Sequence, residues 1–167
     1  MKMGRPTVSK KFFVTAAGDT RIHSWWNSGD LQPLPADVDR LQGLIPTVAI
    51  IDEAELVPFD AFWTLRQGAG KRPVSLTILI GTPGPELDNA LYRWRTLVGE
   101  GAPGRYLEMA APATCEVLDE SAWEAANPAM VAGFLRRDVI ADEAAVAMLD
   151  PDAELAFRMY RLGQWPD

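Results

Sequence analysis

Two short aliphatic runs near the middle of the chain enclose a segment with helical periodicity. The runs are VAII at residues 48–51 and the aliphatic part of VSLTILIG at residues 74–81. Continuous runs of this length are typical of strands that are buried on both faces of a parallel sheet. Between them, apolar residues recur at helical spacing over residues 58–67, which predicts a helix. The order strand, helix, strand predicts a right-handed β-α-β unit, and therefore an α/β layer structure with a mainly parallel sheet.

The rest of the chain carries patterns of the same kinds, and its length of 167 residues suits one domain. We expect a flexible tail over residues 1–10 and otherwise a single domain over residues 1–167. The further predicted elements are a short strand over 12–16, a long loop over 27–47, a helix that begins near Pro85 and carries Leu87, Leu91, Trp94 and Val98 on one face, a third strand over 105–110, and a last helix that begins at Asp150 and Pro151.

The charge of the chain limits its partners. It has 16 Lys and Arg against 23 Asp and Glu, which gives a formal net charge of −7, whereas DNA-binding domains are usually basic. The balance argues against a whole surface adapted to DNA but leaves room for a local basic patch. Lys71 and Arg72 are the best candidates for that patch. The arginine pairs later in the chain are expected on solvated helix faces, some of them paired with nearby acids.

No segment of the sequence indicates export or a membrane span. Cys115 is the only cysteine, so no intrachain disulfide can form, which fits a reducing compartment. The first residues hold no apolar run long enough for a secretory signal, and no run is long enough to cross a bilayer. We therefore predict a cytoplasmic protein without a membrane partner.

Two adjacent carboxylates follow directly after the first aliphatic run. Asp52 and Glu53 stand where the chain would leave the core, and ligands of open parallel sheets bind beyond the carboxyl ends of the strands. One carboxylate can hold Mg²⁺ through water, and its neighbour can polarise the water that attacks a γ-phosphate. The alternative is a solvated acidic helix start, Asp-Glu-Ala-Glu, which the helix dipole favours.

The second aliphatic run also ends in groups that suit phosphate chemistry. Gly81 and Thr82 follow it, and the Thr82 hydroxyl could lie near Glu53 and sense the γ-phosphate or the attacking water. The alternative is a plain turn whose geometry Pro83 and Gly84 supply. Polar groups at the ends of two neighbouring strands favour a nucleotide-triphosphate site more than either end does alone.

The ordered set of segments resembles the ATPase domain of the large terminase subunit of tailed bacteriophages, which is a DNA-packaging motor. The segments are GLIPTVAIIDEAE, a helix, TILIGTPG, SAWEAANPAM and ELAFRMYRLGQWPD, and together they span roughly residues 40–167. The most specific parts are Trp123 with Asn127-Pro128, which match a mainly structural segment, and the closing Leu162–Trp165. Trp165 matches the place where such proteins pass from the ATPase domain to the nuclease domain.

The resemblance implies a partial P-loop NTPase fold of RecA-like (ASCE) type, a three-layer sandwich of which this chain forms the C-terminal half. It implies that Asp52 is the Walker B aspartate that holds Mg²⁺ and that Glu53 is the catalytic carboxylate for ATP hydrolysis. Gly81 and Thr82 would belong to the coupling motif, which links hydrolysis to movement on DNA. The partners implied are ATP, double-stranded DNA, the small terminase subunit and the portal.

Two parts of such a motor are missing from this sequence. No GxxxxGK[ST] loop lies in residues 1–47, and GAGKRP at residues 68–73 lacks the spacing and the following Ser or Thr. The nuclease domain would follow Trp165 and is also missing. We therefore expect negligible ATPase activity from this chain alone, and at best weak binding of Mg²⁺ with ATP. A split gene, a prophage remnant or a deliberate truncation would each account for the pattern.

Two other classes of protein remain open at this stage. The first is a non-catalytic interaction or remnant domain that keeps the fold and only docks onto a partner. The second is a DExx helicase-like ATPase, which shares the acidic strand end and the hydroxyl after the next strand. The helicase alternative fits Asn127-Pro128 poorly, and the other helicase elements are not in the sequence.

Overall fold

A computed structural model of the chain describes residues 21–24 and 28–166 fully, and residues 12–15 by their backbone. The contacts group the chain into two compact units, Met1–Leu41 and Gln42–Asp167. A single domain over residues 1–167 stays a prediction. The predicted flexible tail over residues 1–10 lies outside the described residues.

The first unit contains a small antiparallel sheet that the sequence pattern predicted only in part. Strands β1 (Phe12–Thr15), β2 (Arg21–Ser24) and β3 (Asp30–Leu31) pair in that order, with β2 in the middle. β1 is the strand predicted over residues 12–16. The segment predicted as a long loop over 27–47 contains β3 and a four-residue helix, α1 (Val38–Leu41), and its other described residues, from 28 to 46, are irregular.

The second unit begins with the predicted strand, helix and parallel strand. Strand β4 (Val48–Ile51) is followed by a 3-10 turn (Ala54–Leu56), helix α2 (Phe59–Ala69) and strand β5 (Leu76–Leu79). β4 and β5 are parallel neighbours, and α2 packs against both of them. The mixed α/β class is therefore confirmed, with a two-stranded parallel sheet. The three-layer P-loop sandwich stays a prediction.

The expected burial of β4 on both faces is wrong. Ile51 is 8% exposed on the face that α2 covers, whereas Val48 and Ile50 on the other face are 54% and 60% exposed. Leu76, the partner of Val48 in β5, is 55% exposed. The reason is that α2, the helix packed on both strands, lies on one face of the sheet, and the aliphatic side chains of the other face are exposed to solvent. We call Val48, Ile50 and Leu76 the open sheet face.

Helix α3 (Ala90–Gly99) begins later than Leu87, because an asparagine caps it. The Asn89 side chain accepts a hydrogen bond from the backbone N–H of Tyr92 at 2.8 Å, which satisfies one of the free N–H groups of the first turn. α3 packs on α2 and on the 3-10 turn. The rings of Phe62 and Trp94, one from each helix, lie 5.2 Å apart.

The last third of the chain forms a helical core. Its helices are α4 (Glu120–Ala126), α5 (Pro128–Val131), α6 (Arg137–Ala147) and α7 (Pro151–Tyr160). Asp150 caps α7 by accepting from the N–H of Asp152 at 2.9 Å, and Pro151 is its first residue, which confirms the predicted start. None of the helices within the described ranges is long and apolar enough to span a membrane.

Trp123 and Asn127 hold this helical core together, as the structural role implied by the resemblance requires. Trp123 is buried and donates its indole N–H to the carbonyl of Val117 at 2.8 Å. The Asn127 amide donates to the carbonyls of Trp123 and Arg161, at 2.8 and 2.7 Å. Asn127 therefore ties the junction of α4 and α5 to the end of α7.

The predicted third strand over residues 105–110 is wrong, because this segment is irregular. It runs beside the C-terminal turn, which is the turn after α7 at residues 161–163, and it is not paired with β4 or β5. The N–H of Ala111, just after it, donates to the carbonyl of Leu162 at 2.8 Å. A side chain at Gly163 would bring its Cβ to 2.6 Å from the carbonyl oxygen of Met109, so only glycine fits this approach.

Candidate functional site

The parallel register brings the ends of β4 and β5 to the same edge of the sheet. Ile51 is level with Leu79, so both chains leave the sheet together. Two further backbone bonds continue the pairing beyond the strands: the N–H of Ile80 donates to the carbonyl of Ile51 and the N–H of Ala54 to the carbonyl of Ile80, each at 2.9 Å. The segments 52–54 and 80–82 therefore stay next to each other.

Asp52 and Glu53 lie exposed at this edge, as predicted from the sequence. The backbone N–H of Glu53 donates to Oδ1 of Asp52 at 3.1 Å. Glu53 has φ 48° and ψ 48°, the left-handed region, which costs a residue with a side chain roughly 1–2 kcal/mol. This conformation turns the chain sharply from β4 into the 3-10 turn. Strain of this kind is concentrated at functional sites in proteins.

The Thr82 hydroxyl contacts Glu55 and not the predicted neighbour Glu53. Its Oγ1 donates to Oε1 of Glu55 at 3.1 Å, across the gap between the 3-10 turn and the segment after β5. Thr82 itself is exposed, so it does not point into an apolar interior. The sequence prediction therefore found the two segments that meet, but it placed the Thr82 hydroxyl near Glu53, whereas the acid it contacts is Glu55. The motif Asp-Glu-Ala-Glu contained the signal, because Glu55 is its third acid.

The second carboxylate oxygen of Glu55 is enclosed by the glycine-rich turn after β5. Its Oε2 is buried and accepts no hydrogen bond from any described residue. A buried acceptor without a donor costs about 1–3 kcal/mol. A Cβ at Gly81 would lie 2.0 Å from this oxygen, and a Cβ at Gly84 would lie 3.2 Å from the Glu55 Cβ. Gly81 and Gly84 therefore allow the turn to approach Glu55 closely, and the nucleotide role of Gly81 stays a prediction.

The same turn also borders a small cavity. It has a volume of about 120 Å³, and Gly81 and Thr82 line it together with Tyr106 and Trp165. Arg95 is a further lining residue. Two nitrogens of its guanidinium group donate hydrogen bonds to the Glu108 carboxylate, at 3.0 and 2.9 Å. The turn after β5 thus contacts Glu55 and also borders the cavity that Tyr106 lines.

The acids at this edge do not form a closed metal cage. Across the described parts of the chain, no group of three or more His, Cys, Asp or Glu could hold a metal ion. Exposed carboxylates such as Asp52 and Glu53 do suit Mg²⁺, which prefers hard oxygen ligands and keeps several waters. Such a site would take most of its ligands from water and phosphate.

The segment GAGKRP, residues 68–73, lies at a position that does not suit the binding of a phosphate group. Gly68 and Ala69 belong to the last turn of α2, whose carbonyl end carries a partial negative charge. A Cβ at Gly68 would lie 2.1 Å from the carbonyl oxygen of Leu44, so this glycine makes room for a neighbouring segment. Arg72 donates its Nε to the carbonyl of Ile45 at 3.0 Å. The loop lies after the acidic strand and away from a helix N-terminus.

Most of the arginines singled out in the sequence are paired with acids. The observed pairs are Arg93 with Asp88, Arg95 with Glu108, Arg136 with Asp138, Arg137 with Glu120 and Glu124, Arg158 with Glu154, and Arg161 with Glu143. The Arg161 contact lowers the pKa of Glu143 through its hydrogen bonds. Charges that are already paired in this way attract DNA phosphate less than free charges.

These features define a mixed α/β protein with acids and a hydroxyl at the carboxyl ends of neighbouring parallel strands. The chain is similar to a solved structure, the crystal structure of the HK97 bacteriophage large terminase, with a TM-score of 0.79 and 24% sequence identity. The match covers 94% of this chain and 33% of that chain, so this chain spans about a third of its length. No family model and no curated protein matches the chain. The terminase-like fold expected from the sequence is confirmed.

Proposed function

We propose that this chain is a terminase-like ATPase fragment of a bacteriophage or prophage DNA-packaging motor. The observation that carries the proposal is the shared edge of β4 and β5, where Asp52 and Glu53 lie beside the segment of Thr82. The similarity to the large terminase of HK97 supports this choice among the proteins with a parallel β-α-β unit. The fragment carries the Walker B and coupling segments for ATP hydrolysis.

In this proposal the two exposed acids divide the work of hydrolysis. Asp52 is the Walker B residue toward Mg²⁺, which when bound with ATP would neutralise charge on the phosphates. Glu53 is the catalytic carboxylate and polarises the attacking water as a general base. Gly81 and Thr82 form the coupling segment. The exposure of both carboxylates supports these roles, because the oxygens are free to meet water and a hydrated cation.

The proposal also predicts that the fragment needs further polypeptide to hydrolyse ATP. A phosphate cradle is made of backbone N–H groups and a lysine, and the sequence has no loop of that type. The open sheet face supports the same conclusion, since parallel sheets are normally covered on both sides. Double-stranded DNA, the small terminase subunit and the portal are partners of the complete motor in this proposal.

The metal part of the proposal is tested with Mn²⁺ and a non-hydrolysable ATP analogue. We expect Mn²⁺ to broaden the amide signals of Asp52 and Glu53 in ¹⁵N-resolved NMR spectra, and we expect Asp52→Asn to abolish the broadening. Asp88→Asn, which removes an exposed acid on a different segment, is the matched control and should leave the effect intact. Isothermal titration with the analogue and Mg²⁺ should give weak, saturable heats.

The same experiment separates the catalytic proposal from its rival. Flat heats and no selective broadening, with a folded spectrum, would favour a non-catalytic interaction domain, and the open sheet face is the specific observation behind that rival. Robust ATP turnover by the 167-residue chain, abolished by Glu53→Gln, would instead overturn the need for further polypeptide. The helicase-like alternative gains no specific observation from the site.

A further inference from the structure

We propose that Glu55 is a positioning residue that holds Asp52 and Glu53 in place through its contacts with the Gly81–Thr82 turn. A displacement of this turn would then move the two carboxylates. The contact of Glu55 with Thr82 and Gly81 stands on its own geometry. Its meaning for hydrolysis rests on the proposed function, in which Asp52 and Glu53 meet Mg²⁺ and water.

Three contacts connect the turn after β5 to the 3-10 turn that follows the acids. The Thr82 hydroxyl donates to Oε1 of Glu55 at 3.1 Å, and the backbone N–H of Ala54 donates to the carbonyl of Ile80 at 2.9 Å. The third contact is the close packing of Gly81 on the buried Oε2 of Glu55. Two of the three depend on the Glu55 carboxylate.

Glu53 is the residue that this connection would control. Its left-handed backbone is unfavourable for a residue with a side chain, so the surrounding contacts must hold it there. Glu55 stands two residues later in the same sharp turn and is fixed from outside by Thr82. Loss of the Thr82 contact would therefore free the turn and with it the direction of the Glu53 carboxylate.

The fixed length of the connection makes it sensitive to small movements. Gly81 has no space for even one methyl group on the side of Glu55, and atoms packed this closely transmit a displacement to their neighbour. Gly81 and Thr82 also line the cavity together with Tyr106 and Trp165. A shift of that segment would thus reach Glu55 through the Gly81–Thr82 turn.

The experiment compares Thr82→Val with Thr82→Ser and Thr96→Val by NMR on the full chain. Thr82→Val removes the hydroxyl and keeps the shape, whereas Thr82→Ser keeps the hydroxyl. Thr96→Val is the matched control, because it removes a hydroxyl that donates to the carbonyl of Tyr92 at 3.0 Å within α3. Glu55→Gln is a second variant that keeps the shape of the side chain and removes its charge. The readouts are the amide shift of Glu53 and the hydrogen exchange of the Ala54 amide.

We expect Thr82→Val to move the Glu53 signal and to speed exchange of the Ala54 amide by about fivefold to tenfold, the effect of one lost hydrogen bond. Glu55→Gln keeps an acceptor oxygen for the Thr82 hydroxyl but makes it neutral, so it should act in the same direction and less strongly than Thr82→Val. Thr82→Ser should keep the wild-type values to within about twofold, and Thr96→Val should change neither amide beyond any change in global stability. In the Mn²⁺ titration, Thr82→Val should weaken binding about threefold, since less than one full interaction is lost.

Two results would overturn the positioning role. One is that Thr82→Val and Thr96→Val change the Glu53 and Ala54 amides alike. The other is that Thr82→Ser fails to restore them. A wild-type chain that shows no selective Mn²⁺ broadening would count against the proposed function instead, and the amide comparison would still decide the role of Glu55.

Discussion

At the scale of single residues, the conformation of Glu53 is the clearest departure from ordinary backbone preference. Among the described residues, Ser28 and Glu53 are the two that have positive φ without being glycine. Glu53 keeps this conformation at the end of a strand, next to the acid Asp52. The residue is therefore held at an energetic cost at one of the two positions where the proposed chemistry needs a carboxylate.

This cost gives a prediction about stability. Glu53→Gly should stabilise the fold relative to Glu53→Ala by about 1 kcal/mol, because glycine adopts positive φ without a steric penalty while alanine keeps the strain. Both variants lack the carboxylate, so alanine is the matched control for its loss. Urea denaturation measures the difference. Equal midpoints for the two variants would show that the turn is not strained in solution.

The sequence predicted most of the residues at this edge and missed Glu55. Asp52, Glu53 and Thr82 could be found because they follow aliphatic runs directly, and strand ends in parallel sheets share an edge. Glu55 could not be assigned, because its position depends on the left-handed turn at Glu53, which no propensity favours for glutamate. The expectation that Thr82 could lie near Glu53 used only the shared edge of the two strands, which does not fix which acid the hydroxyl contacts.

At the scale of elements, the predictions held where local chemistry decides the structure. β4, α2, β5 and α7 follow from aliphatic runs, helical spacing and an Asp-Pro cap. The strand predicted over residues 105–110 failed because a strand needs a neighbour in the sheet. This segment lies beside the C-terminal turn, a contact between residues about 50 positions apart that local pattern does not encode.

The packing of α6 on α7 yields a pH-dependent prediction. Arg161 donates to Glu143 at 2.7 Å, and this contact lowers the pKa of Glu143 below its ordinary value of 4.5. A lowered pKa in the folded state means that the contact stabilises the fold above the unfolded pKa and is lost as pH falls through the folded pKa. Glu143→Gln should therefore destabilise the chain at pH 7, by up to about 1 kcal/mol for a pair this exposed.

The difference between wild type and Glu143→Gln should shrink as the pH is lowered from about 5 toward 3, through and below the ordinary carboxyl pKa. Urea denaturation at a series of pH values measures it. Glu86→Gln is the control, since Glu86 is exposed and makes no ion pair with another described residue. A difference that stays constant across this range would contradict the role of the Arg161 contact.

At the scale of the second unit, the parallel sheet is covered on one side only. The sequence predicted two-sided burial because its aliphatic runs do not alternate with polar residues. In the structure the exposure alternates along this uniformly aliphatic run: Ala49 and Ile51 are buried, and Val48 and Ile50 are exposed. A run that is aliphatic on both faces fits a sheet that is completed by further polypeptide, as the proposed function requires.

The two faces of β4 can be compared by one substitution made on each side. Ile50→Thr should change the free energy of unfolding by less than about 0.5 kcal/mol, since surface substitutions have small effects. Ile51→Thr, the matched variant on the buried face, should lower the free energy of unfolding by about 2 kcal/mol or more. It removes apolar volume from the core and buries a hydroxyl there. Threonine is β-branched like isoleucine, so both variants keep the strand preference. Urea denaturation of the two variants measures both changes. Equal and large losses of unfolding free energy would mean that Val48 and Ile50 are covered in solution and that the sheet is already complete.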